Sequence, residues 1–240
     1  MITHPSSFCN VDNPCSFDYT QIEYFSSNEI LQGVYRKINS VKGRGLFVIG
    51  GFDQVASLIA SSDLEKCLLF DVREEVIRYA KFRMHLTGVF QNSKDYFDCI
   101  NSSQSSFLFR SFIRENPDNW LSSEEKYQKV QKIFSEGKVN FINLNLFQEI
   151  DSLEEEYSLV YLSNIHEWVS KTSGSRLFDL YLDNLKKIKI NDLTKWVFTN
   201  TQTRQGEIHV GKINNRLITQ LFNNLLYVEN LCASRDNGAP

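Results

Sequence analysis

The sequence predicts an α/β fold with a mostly parallel, twisted sheet flanked by helices, and three observations carry that prediction. Short apolar runs such as Leu46-Phe47-Val48-Ile49 and Leu68-Leu69-Phe70 recur without the alternation of a half-exposed strand, so they read as strands covered on both faces. Between them, apolar residues recur every three to four positions, which is the helical period. The two patterns alternate along the chain, as they do where helices connect parallel strands.

The elements follow in order. Residues 1–18 read as irregular. Ile22, Phe25, Ile30, Val34 and Ile38 fall at helical spacing, so 1–42 is expected to form an N-terminal helical lid. Leu46–Ile49 is the first strand, stopped by Gly50-Gly51. Gln54–Ala60 follows as a helix, with Asp53 placed to cap it. Lys66–Phe70 is the second strand, ending at Asp71, and Arg73–Leu86 is an amphipathic helix through Val76, Ile77, Ala80 and Met84. Residues 87–137 carry no β period. They hold helical patterns around Tyr96–Phe112 and Ser122–Phe134, the second opened by Ser122-Ser123-Glu124-Glu125, which resembles a capping box. This stretch is expected to be a helical insertion that caps the site. Strands resume at Val139–Leu144, Leu159–Leu162 and Lys195–Thr199, with a helix over 175–188 between the last two. Ile208–Val210 and Leu226–Val228 are expected to complete the sheet around a helix at Asn215–Asn224.

At 240 residues the chain suits one domain, 1–240, large enough to bury its own core. Hydrophobic residues at 42% exclude disorder as its class. Lys+Arg 26 against Asp+Glu 29, a net −3, argues against a nucleic-acid partner, which a basic surface would favour. No apolar run reaches the ~20 residues of a membrane helix, so no membrane partner is expected. The N-terminus lacks the basic and apolar regions of a secretory signal. Cys9, Cys15, Cys67, Cys99 and Cys232 are odd in number and scattered, which argues against a disulfide framework and for a reducing cytoplasm. Their spacing supports no metal site.

The segment with most chemical content runs from Leu46 to Asp71. A glycine turn lets backbone approach a ligand closely. The helix start behind it presents free N–H groups, and an acid at the end of the next strand can accept both hydroxyls of a ribose. This is a candidate nucleoside-cofactor site at the C-terminal edge of the sheet; otherwise it is a tight turn with Asp71 capping the following helix. A G-x-G-x-x-G fingerprint is absent. Asp53 at the helix start would repel a pyrophosphate, but it suits a ligand bearing an ammonium or sulfonium group. That favours S-adenosylmethionine over NAD.

The stretches LFVIGGFDQVASLIA and KCLLFDVREEVIRYAKFRM resemble the first two strand–helix units of class I S-adenosylmethionine-dependent methyltransferases. The resemblance covers about 45–200 and implies a Rossmann-like fold. It assigns Gly50 and Gly51 to the loop near the methionine part, Asp71 to the ribose and Val72 to the side of the adenine. Asn145 and Leu146, after the third strand, fall where the family contacts the adenine ring. Ser163 and Asn164, after the fourth, fall among substrate and cofactor contacts. The adjacent glycines depart from the family's usual G-x-G-x-G. A narrower resemblance, to betaine-lipid-type aminocarboxypropyltransferases, rests on Asp95-Tyr96-Phe97-Asp98-Cys99-Ile100 and Leu162-Ser163-Asn164. Those enzymes use the same cofactor but attack the methionine γ-carbon instead of the methyl group.

These readings give an S-adenosylmethionine-dependent enzyme acting on a small molecule. The expected reaction is aminocarboxypropyl transfer, or cyclisation of the arm to azetidine-2-carboxylate, with release of methylthioadenosine. Ordinary methyl transfer, a non-catalytic cofactor-binding protein and an NAD-dependent oxidoreductase are the alternatives. His166 is the expected proton acceptor, with Glu167 beside it; Asn164 and Ser163 are expected to fix the arm's amine or carboxylate. Tyr24, with Tyr19 and Phe25, offers aromatic faces to a sulfonium from the lid. Tyr181 is a further candidate, although its helical spacing, like the size of Trp168, suits core packing.

Overall fold

In the computed structural model the described residues are 29–102, 106–148, 150–151, 153–163, 175–200, 203–214 and 218. Strand β1 (Lys42–Val48) is buried at every position from Gly45 onward, as befits a strand covered on both faces. On one side it pairs in parallel with β2 (Asp63–Asp71), which pairs in parallel with β3 (Val139–Asn143). On the other it pairs in parallel with β4 (Leu153–Ser163), followed by β5 (Ile188–Thr199). The sheet ends in β6 (Gly206–Val210), antiparallel to β5, and its order is β3-β2-β1-β4-β5-β6. From β1 the chain winds outward through β2 and β3, then returns to the other flank of β1 as β4. The C-terminal ends of β1 and β4 therefore border the crevice where ligands bind in sheets of this kind.

The helices match the expected periods, with corrected ends. Helix α1 (Gln32–Ile38) precedes β1 and packs on β6. A Cβ at Gly206 would stand 2.6 Å from the side chains of both Leu31 and Val34, so only glycine permits that approach. Helix α2 (Phe52–Ala60) is buried along its whole length. Gly51 occupies its N-cap position with no side-chain cap, so the capping expected of Asp53 does not occur. Helix α3 (Glu74–Val89) follows β2.

The single pattern expected over Tyr96–Phe112 is two helices, α4 (Ser93–Asn101) and α5 (Ser106–Glu115). Helix α6 (Glu124–Ser135) is capped by Ser123, whose side chain accepts the Lys126 N–H, as the Ser-rich start predicts. Helix α7 (Ser175–Lys186) ends before Ile188, which opens β5 instead of closing the helix. The strand expected at Leu226–Val228, the helix at Asn215–Asn224 and the helical pattern before residue 29 lie outside the described residues.

The insertion shares the core of the sheet. The Trp120 ring stacks on Tyr127 (centroids 5.6 Å apart), meets Tyr96 edge-on at 4.9 Å and meets Phe52 of α2 edge-on at 6.0 Å. Edge-to-face and offset contacts of this kind add to area burial. Cys67 is a buried free thiol on β2, pushed up to about 12 by that burial. Cys99 is disulfide-bonded, which the cysteine spacing did not suggest. Among the described residues no helix is long and apolar enough to cross a membrane.

Candidate functional site

The turn after β1 is built on Gly50, whose φ of +40° lies in the left-handed region. Gly51 is extended and leads directly into α2. The turn is tied to β2 at two points. Ile49 N–H donates to the Phe70 carbonyl at 2.8 Å, and the backbone amide of Gly50 lies close enough to the Asp71 carboxylate to favour its charged form. Asp71 Oδ1 also accepts the Arg73 N–H at 3.0 Å. Asp71 is 9% exposed. Burial raises its pKa, while the N–H groups of Arg73, Gly50 and Val72 and the charge of Arg73 act against that rise. Val72, beside it, is 54% exposed. The end of β3 braces this corner: Asn143 Nδ2 donates to the Val72 carbonyl at 3.0 Å, and Leu144 N–H to the Asp71 carbonyl at 3.2 Å.

Of the next two candidates, Asn145 is half-buried and its side-chain oxygen accepts the Phe147 N–H at 3.0 Å, closing a local turn. Leu146 is buried in the hydrophobic core, so it packs inward.

Across β1, the end of β4 supplies Ser163, a non-glycine residue with φ +53°. A Cβ built on Gly50 would lie 3.9 Å from the Ser163 hydroxyl, so the two turns face one another with little between them. The Ser163 hydroxyl donates to one oxygen of Glu29, and the Tyr161 hydroxyl donates to the other. Glu29 is 1% exposed. No sequence spacing could have found it. Its partners are more than 130 residues away, and the only local signal is an acid directly ahead of an apolar helical run. The aromatics Tyr19, Tyr24 and Phe25 drew the sequence reading instead.

Two expectations are corrected. Asp53 does not face a ligand. Its carboxylate is fully buried, paired with Arg83 Nη2 at 2.7 Å and accepting Trp120 Nε1 at 3.2 Å. Arg83 is itself held by the Tyr79 and Tyr96 hydroxyls, at 2.7 and 2.6 Å, within a cage of Phe52, Tyr79, Tyr96 and Phe109. The argument that Asp53 repels a pyrophosphate therefore fails, and the missing fingerprint alone speaks against a dinucleotide.

Tyr181 is fully buried against Phe147 and Phe178, and its hydroxyl has no hydrogen-bond partner. Burial drives its pKa upward, opposite to what proton transfer near neutrality needs. Tyr19, Tyr24, Phe25, Asn164, His166, Glu167 and Trp168 lie outside the described residues. Among the described residues no cluster of three His, Cys, Asp or Glu side chains suits a metal ion.

The site thus has a carboxylate on each side of the glycine turn, Asp71 at β2 and Glu29 beside β4. No family model matches the chain, and no curated protein matches it. Among solved structures, one similar chain is a diketoreductase described as performing substrate-directed dual catalysis of dicarbonyl compounds. It shares 10% identity with a TM-score of 0.29, and the match covers 80% of this chain and 62% of that one. A likeness of that size carries no argument about the fold or activity of this chain.

Proposed function

We propose that the chain is an S-adenosylmethionine-dependent enzyme acting on a small molecule, with reaction at the methionine γ-carbon. The observation that carries the reading is Asp71, a buried acid at the end of β2 that accepts the Arg73 N–H and whose charged form the backbone amide of Gly50 favours. It stands beside a left-handed glycine turn at the reversal of strand order. Asp71 would hold the ribose hydroxyls, Val72 would flank the adenine, and Gly50 and Gly51 would pass backbone close to the sulfur. When bound, the sulfonium makes its three attached carbons electrophilic. The chain's part is to bend the arm, exclude water and set an in-line nucleophile about 3–3.5 Å from one carbon.

Of the two segments that carry the narrower resemblance, Asp95–Ile100 belongs to α4 and its Tyr96 holds Arg83. Leu162-Ser163 lies at the end of β4, beside the glycine turn, and the preference for γ-carbon chemistry over methyl transfer rests on the resemblance of that short segment.

The test is to incubate the purified protein with S-adenosylmethionine alone and measure the products by mass spectrometry, with Asp71→Ala as control. Methylthioadenosine above the control supports arm chemistry, and azetidine-2-carboxylate beside it makes the reaction intramolecular. S-adenosylhomocysteine, formed only when an acceptor is added, would move the reading to methyl transfer. Binding without turnover under either condition would leave a cofactor-binding protein.

A further inference from the structure

We propose that Asn143, the last residue of β3, is a positioning residue for the nucleoside site: its side chain sets the direction of the Asp71 carboxylate through the peptide that joins Val72 to Arg73. The inference rests on the reading of Asp71 as the acid that takes the ribose hydroxyls, and it adds what aims that acid.

The ladder between β2 and β3 starts at the pair Cys67–Val139 and ends at the pair Asp71–Asn143. One more backbone bond, from Leu144 N–H to the Asp71 carbonyl at 3.2 Å, closes it. Val72 lies past the last rung. There the Asn143 side chain takes over from the ladder, with Nδ2 donating to the Val72 carbonyl at 3.0 Å. A carbonyl only accepts, so the nitrogen of the side-chain amide is the atom that faces it.

The Val72 carbonyl and the Arg73 N–H belong to one peptide group. That N–H donates to Asp71 Oδ1 at 3.0 Å. The peptide is planar and trans, so its C=O and N–H point in opposite directions. Asn143 holds the oxygen end, and the nitrogen end holds the carboxylate. Turning this peptide about its flanking bonds breaks both contacts together. A peptide whose oxygen already accepts a bond is also polarised, which strengthens its N–H as a donor. The rotation of a buried acid on β2 thus depends on an amide of the neighbouring strand.

The residue type fits this role. Asparagine is disfavoured in strands, and Asn143 is exposed, so it does not fill the core. A leucine of similar size would suit the strand and could not donate. The gain comes on binding. A carboxylate that is free to turn must be ordered when it meets two hydroxyls, whereas one fixed in advance spares that cost.

The test compares adenosine with dideoxyadenosine, which lacks both ribose hydroxyls. Calorimetry on the full chain should show the unaltered protein binding adenosine about 10- to 100-fold more tightly, as hydrogen bonds to a charged group give. Asn143→Leu should shrink that gap by about 2- to 10-fold, the worth of one uncharged hydrogen bond, and leave dideoxyadenosine unchanged. Asn143→Ser, too short to reach the Val72 carbonyl, carries the same test if Asn143→Leu does not fold. Equal losses for both nucleosides, as a merely structural role would give, or no change for either, would overturn the positioning role while leaving the nucleoside site standing. If the unaltered protein binds both nucleosides equally, or neither, both readings fall.

Discussion

Asp71 stabilises the folded protein less than an uncharged residue would, because burial disfavours its charge. Burial raises its carboxyl, so the folded chain holds the proton to higher pH than the unfolded chain does. Between the ordinary value near 3.8 and the raised one, folding takes up a proton, and stability falls as pH rises. Above both values the folded protein bears the whole cost. Asp71→Asn should therefore raise the melting temperature of the ligand-free protein at neutral pH while weakening nucleoside binding by about 10- to 100-fold. Thermal scanning and calorimetry read the two effects separately. A lower melting temperature would mean that the N–H groups of Gly50, Val72 and Arg73 outweigh the burial. By the same sign, nucleoside affinity should begin to fall on acidification at a higher pH than an ordinary aspartate would give.

At the scale of elements, the pair Asp53–Arg83 joins α2 to α3, and Trp120 adds the insertion. Because Asp53 lies in the first turn of α2, this pair sets the start of the helix that carries the glycine turn. Arg83→Met should leave a buried carboxylate without its cation and cost about 3–5 kcal/mol of folding stability in urea titration. The double variant Asp53→Leu/Arg83→Met should recover more than half of that loss. If the single variant costs less than about 1 kcal/mol, the carboxylate is being satisfied by other groups.

None of this pairing was legible in the sequence. The strands β1, β2, β4 and β5 were, because their C-terminal parts are mostly buried and so appear as short apolar runs, while the edge strand β3 shows only as Val139, Phe141 and Ile142 among asparagines. Helices α2, α3 and α6 were, because one face of each is apolar at period 3.6 or, for α6, because Ser123 marks its start. The glycine turn and Asp71 were legible because one strand–turn–helix unit brings them together locally. Asp53 and Glu29 were not. Whether an acid meets a ligand, an arginine or a pair of hydroxyls depends on residues 30 to 134 positions away, and no local pattern records them.

For the molecule as a whole, the sheet order sets a gradient of protection. β1 and β4 are paired on both sides and covered by helices, whereas β3 and β6 lie at the edges with half-exposed residues. Native-state hydrogen exchange should find the slowest amides at Leu46–Val48 and Leu159–Leu162, with β3 and β6 at least tenfold faster. Equal protection across all six strands would show that the sheet opens only as one unit.

Cys67 turns that gradient into a chemical clock. Its backbone is paired with Gly45 of β1 and Val139 of β3, its side chain is buried, and that burial pushes the thiol up to about 12, so the reactive thiolate is scarce while the sheet is closed. A thiol-specific alkylating reagent should therefore mark Cys67 in molecules whose sheet has opened around β2. The fraction of tagged peptide against time counts those openings one molecule at a time. If the proposed nucleoside binds at the end of β2, it should slow the count, so occupancy of the crevice would be read from a sulfur atom elsewhere on the same strand.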